Sequence, residues 1–148
     1  MSVPGSLYFV LPQSSILVTS YWGRTVINES QRVRQARASD PERRGVSAHL
    51  IDLADLEGTT SPPRHEAETF RMLATSYARS FGSLPTALIA TAPHAYGLAR
   101  VFETVASLQD PPLPIWVVRS WEEAAIRLGV DLTEARAELA RRRAAAAD

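Results

Sequence analysis

Short runs of β-branched and aromatic residues alternate along this chain with longer segments whose apolar residues recur every three or four positions. That switching of period constrains the fold more than anything else in the sequence. A strand, an amphipathic helix and a second strand form a parallel pair with the helix lying on one face. The clearest helix is expected from Ser61 to Phe81, where Phe70, Leu73, Ala74, Tyr77 and Phe81 make one apolar stripe. Ser61 fits its N-cap, with Pro62 at the first helical position and Gly82 as the left-handed stop. A second stripe, Leu98, Val101, Phe102 and Val105, follows Pro93 and closes at Asp110-Pro111-Pro112. Between the two helices, Thr86 to Thr91 is apolar through its middle, as a central strand covered on both faces requires.

The remaining segments complete the order. Leu7 to Leu11 and Ile16 to Trp22 flank the turn residues Pro12-Gln13-Ser14 and predict an opening hairpin, with Gly23 ending the second strand. Thr25 caps a thinly amphipathic helix from Val26 to about Ala38, which Asp40-Pro41 terminates. Ser47 to Leu53 is a third strand, and Gly58 to Pro63 a polar loop. Leu113 to Arg119 is the last strand, with Pro114 near its start marking an edge. Ser120-Trp121-Glu122-Glu123 forms a capping box for a short helix that stops at Gly129. Asp131 with Glu134 repeats the device before a C-terminal helix, Leu132 to about Arg143, with a weak stripe of Leu132, Ala135 and Leu139. The prediction is an α/β fold: a single mixed, mostly parallel five-stranded sheet with an N-terminal hairpin and flanking helices. Residues 1–130 would form the domain and residues 131–148 a C-terminal helical extension.

Composition narrows the function. A chain of 148 residues suits one domain, and the lack of Cys excludes disulfides and thiolate metal sites. No apolar run reaches the ~20 residues of a membrane-spanning helix. Met1 to Ser6 carry no positive region leading into an apolar stretch, so a cytoplasmic location is expected. All sixteen basic residues are Arg, balanced by sixteen acidic ones, which argues against a nucleic-acid partner. Arg141-Arg142-Arg143 suits the end of a helix. No G-x-S-x-G elbow and no Gly-rich phosphate loop is present. His49, His65 and His94 lack metal-ligand spacing, so neither a metal nor a cofactor is expected, and His49 reads as a structural strand residue.

Three groups stand out as candidates for binding. His94, Tyr96 and Gly97, with Arg100 one turn on, follow the carboxyl end of a central strand, where open α/β sheets bind ligands. Trp22 and Arg24 sit at a strand end on the same rim, and aromatics beside Arg suit a partner anchor. Thr59, Thr60 and Ser61 lie at a helix N-terminus, where unsatisfied N–H groups favour an anion. Asp52 and Asp55 add acids at a strand end. A homodimer is expected on two grounds: the hairpin leaves a sheet edge unpaired, and a second copy would cover the weak stripe of the terminal helix.

Asp40-Pro41, His49 to Leu53, Ala95 to Glu103 and Arg119 to Gly129 stand in an order that resembles bacterial STAS-like proteins. These are relatives of anti-sigma-factor antagonists and of the lipid-binding CRAL-TRIO proteins, and share the SpoIIAA-like fold. The resemblance covers about Leu7 to Val130 and is most specific at Tyr96-Gly97-Leu98-Ala99-Arg100 with Phe102-Glu103. It implies a non-enzymatic regulatory module acting through protein contacts, with a carrier of a lipid or small hydrophobic ligand as the alternative and an enzyme third. It also implies that a phosphorylation switch would fall on Thr59, Thr60 or Ser61, although the usual Asp-Ser-Ser/Ala-Gly signature is absent there.

Overall fold

Strands and helices alternate as the periodicity requires in the computed structural model, which describes residues 5–25, 36, 39–40, 45–59, 62–81 and 84–146. β1 (Gly5–Leu11) and β2 (Ile16–Thr25) form the hairpin, paired antiparallel from Gly5 opposite Trp22 to Leu11 opposite Ile16. There follow β3 (Ala48–Asp52), β4 (Leu56–Thr59), α1 (Pro63–Phe81), β5 (Thr86–Ile89), α2 (Pro93–Ser107), β6 (Ile115–Val118), α3 (Trp121–Leu128) and α4 (Thr133–Ala146). The sheet order is β1-β2-β3-β5-β6, with β4 beside the far half of β2. All pairings other than the hairpin are parallel.

Two expectations need correcting. Gly23 does not end β2. It adopts φ 71°, the register shifts between Gly23 and Arg24, and the strand continues as a bulge to Thr25. The expected loop at Gly58 to Pro63 begins instead as the end of β4. Pairing of β2 with β3 stops at Ser20 opposite Asp52, so the rest of β2 lacks a neighbour on that side, and β4 supplies it. The expected helix from Val26 to about Ala38 lies, Ala36 apart, outside the described residues, as do Thr60, the Ser61 cap and the Gly82 stop.

Strand alternation divides the core in two. Leu17, Ile51 and Leu88 face one side, where they meet Phe70, Ala74 and Tyr77 of α1 and Leu98, Ala99 and Phe102 of α2. Ile16, Val18, Leu50, Ala87 and Ile89 face the other, with Phe9, Leu11, Val118 and Ala124. Leu132, Ala135 and Leu139 are each no more than 4% exposed and pack into this second cluster. The weak stripe of the terminal helix is therefore covered by the chain's own sheet, and that ground for a dimer falls. Ser120 caps α3 as expected, accepting the Glu123 N–H at 3.0 Å, but the Glu123 carboxylate accepts from the Arg119 N–H at 2.8 Å, not from the cap residue itself.

A line of polar side chains crosses the first core. The Thr86 hydroxyl donates to the Leu84 carbonyl at 2.9 Å, so it must accept from the Tyr77 hydroxyl, 2.7 Å away. Tyr77 then accepts from Nδ1–H of His49 at 2.7 Å, and the neutral imidazole presents Nε2 to the Thr19 hydroxyl at 2.9 Å. All four side chains are buried. The expectation that His49 is structural is thus given a physical form: one tautomer, with both ring nitrogens satisfied. Tyr77→Phe would leave His49 and Thr86 each short of a partner in the core. It is expected to cost about 1–3 kcal/mol of folding free energy, read by urea denaturation, with the fold retained in circular dichroism.

Candidate functional site

The carboxyl ends of the parallel strands form one rim, to which several elements contribute. β2 brings Trp22 and Arg24, β4 brings Gly58, and the first turn of α1 brings Glu66. The first turn of α2 brings His94 and Tyr96, and Arg119 follows β6 directly. Glu66 is 2% exposed, yet it lies four residues before Phe70 on the buried stripe of α1. A carboxylate in that position needs a partner. His94 provides one, its Nε2 standing 3.1 Å from Glu66 Oε2 while more than half of the imidazole surface stays exposed. With Nε2 turned to the carboxylate, Nδ1 is the ring nitrogen left for an incoming group.

Gly58 sits directly against this cluster. A β-carbon at that position would lie 3.3 Å from Nη1 of Arg24, 3.4 Å from Oε2 of Glu66 and 3.5 Å from Nε2 of His94. Its φ of 143° is one that side-chain-bearing residues rarely adopt. Gly97 differs: its chain neighbours and its own helix backbone aside, no described atom lies within 4 Å of its β-carbon position, so close packing against another element does not explain that glycine.

Two arginines stack on aromatic rings of the same rim. Arg119 lies 4.0 Å over the centroid of Tyr96. Arg143, from α4, lies 4.6 Å over Trp22 and pairs with Asp55 at 2.7 Å. Asp52, at the end of β3, accepts from the Ser20 hydroxyl and from the Ala54 N–H, both at 3.1 Å. Burial pushes its carboxyl above the ordinary aspartate range, and the Ala54 and Ser20 hydrogen bonds and the Arg143 charge oppose that rise.

The structure thus brings Arg24 and His94 of the sequence candidates together, with Tyr96 on the same turn of α2, while Trp22 at the end of β2 meets Arg143 instead. Arg100 is engaged along α2 by Glu103, whose other carboxylate oxygen accepts the Val117 N–H at 2.7 Å. Thr59 ends β4 beside Gly58; Thr60 and Ser61 lie outside the described residues. Sequence reasoning missed Glu66, Gly58, Arg119 and Arg143. Glu66 carried a readable signal, an acid in phase with an apolar stripe. Among the described residues no three of His, Asp and Glu stand together as metal ligands, and no helix is long and apolar enough to cross a membrane.

No protein family matches the chain by sequence, and no curated protein does. Among solved structures the chain is similar to an uncharacterized protein of the DUF3478 family with a SpoIIAA-like fold, from Shewanella loihica PV-4. The TM-score is 0.58 at 15% identity, over 86% of this chain and 97% of that one. The chain has the SpoIIAA-like fold that the sequence resemblance implied.

Two outcomes are expected at the rim. Gly58→Ala forces a side chain into a strained φ beside three polar groups and should destabilise the protein by more than about 1 kcal/mol in urea denaturation. Asp52 in the folded protein keeps its proton to higher pH than in the unfolded chain. Stability therefore falls as pH rises from the ordinary value of 3.8 through the raised folded one, and the penalty is complete above it. Asp52→Asn, measured across that range, should flatten this decline and be at least as stable as the wild type near neutral pH.

Proposed function

We propose that this chain is a non-enzymatic, cytoplasmic regulatory module of STAS-like type that engages a protein partner through the rim at the carboxyl ends of its strands. The observation that carries the reading is the pair of arginine–aromatic stacks, Arg119 on Tyr96 and Arg143 on Trp22, at one end of the sheet. Trp, Tyr and Arg are the residues that dominate binding energy at protein interfaces. Each stack holds a long cationic side chain over a ring, which reduces the side-chain ordering that association would otherwise require. His94, anchored by buried Glu66, adds a fixed hydrogen-bonding group to the same surface. The fold supports the reading in general, since SpoIIAA-like proteins include modules that act by contact.

Photo-crosslinking tests it. A photoreactive phenylalanine at Tyr96, introduced in the protein's own host, should trap a discrete protein, and the same group at exposed Ile126 on α3 should not. Tyr96→Ala is expected to weaken binding of the trapped protein by about 2 kcal/mol, some thirtyfold, with Ile126→Ala near neutral. No rim-specific adduct, together with a small molecule retained in native mass spectrometry and lost on denaturation, would replace this reading with the carrier of a hydrophobic ligand.

A further inference from the structure

The three histidines of the chain stand in three different settings. His49 is buried, and both of its ring nitrogens are bonded, to Tyr77 and to Thr19. His65, on the first turn of α1, is exposed and makes no ion pair among the described residues. His94 alone joins a carboxylate to an open face. Its Nε2 stands 3.1 Å from Oε2 of Glu66, and 55% of its side-chain surface is exposed. Glu66 belongs to the buried stripe of α1, so the imidazole is held from behind and open in front at Nδ1. A guanidinium lies beside it: Nη1 of Arg24 and Nε2 of His94 are 3.3 Å and 3.5 Å from one point, the β-carbon position of Gly58. An oriented, accessible imidazole backed by a carboxylate is a nucleophile.

We propose that Nδ1 of His94 accepts a phosphoryl group and that Glu66 is the residue positioning it. An imidazole attacks phosphorus through its unprotonated nitrogen, so the proton must sit on the other one. A carboxylate 3.1 Å from Nε2 favours that tautomer and leaves the Nδ1 lone pair toward solvent. The P–Nδ1 bond forms as the bond from phosphorus to its leaving group breaks, and nothing is oxidised or reduced. The leaving group takes its bonding electron pair, and the Nε2 proton stays between ring and carboxylate. Glu66 then offsets the positive charge that the phosphorylated ring acquires. The P–N bond formed is energy-rich, so the donor is itself an activated phosphoryl compound of the phosphoramidate class. The transferred group sets about two negative charges on the rim beside Arg24. Phosphorylation at His94 requires no partner already seated on the rim, and it would change the charge that any partner meets there.

Treatment of the full chain with phosphoramidate, a small-molecule donor, tests this. Its leaving group is ammonia, which departs with the protons its nitrogen already carries. His94 is expected to be phosphorylated at least about tenfold faster than His65, as mapped by mass spectrometry in alkali. The phosphorus NMR spectrum should be that of an Nδ1-phosphoimidazole, lost on acidification. Glu66→Leu extends the apolar stripe of α1 and removes the group facing Nε2. With an unchanged circular dichroism spectrum, it should bring His94 down to the rate of His65 and spread the product over both ring nitrogens. A glutamate with a merely structural role would leave rate and ring position as they are. If Glu66→Leu fails to fold, the site and ring nitrogen in the wild-type protein decide alone. Reaction at His65 as fast as at His94, a phosphoryl group on Nε2, or a folded Glu66→Leu protein with the wild-type rate and product would each overturn the proposal.

Discussion

β2 runs to Thr25 while its pairing with β3 ends at Ser20, and this excess of length organises the functional end of the molecule. An unpaired stretch of strand would leave main-chain groups such as those of buried Gly23 without partners, at a cost comparable to lost hydrogen bonds. The chain meets that cost by turning sharply after β3 and laying β4 beside the remainder of β2. Hydrogen bonds run through the turn. Leu53 N–H donates to Ile89, Leu56 N–H to Leu53, and Gly23 N–H to Asp55 at 3.0 Å. Asp52 fastens the corner through Ala54 N–H. Only because β4 lies there do Gly58, Arg24, Glu66 and His94 converge.

The two faces of the sheet solve different problems. The face toward α1 and α2 carries the polar line from Thr19 to Leu84, which ties β2, β3, β5 and α1 together with defined geometry. On the other face the buried polar side chains among the described residues are Ser20 and Asp52, and its outer helix α4 buries only a thin stripe. Arginines reinforce that helix: Arg142 lies 4.7 Å over Phe9, and Arg143 covers Trp22. Paired with Arg141 and Arg142, Glu138 is held down to about 2, so this exposed cluster stays charged across the ordinary pH range. The helix is thus fixed at its far end by contacts that also complete the rim.

Much of the architecture was readable because its signals are local. Phe70, Ala74 and Tyr77 declare the buried face of α1 by spacing alone, and Ser120 with Gly129 brackets α3. β4 was not readable, since four residues that include a glycine carry no period, and their strand state comes from the vacancy beside β2. Half the rim was legible for the same reason that half was not. His94 and Tyr96 follow a strand end in sequence, but Arg119 reaches Tyr96, and Arg143 reaches Trp22, only through the fold. The thin stripe of α4 is legible in Leu132, Ala135 and Leu139 and its occupant is not, because a stripe says that something covers it and not what.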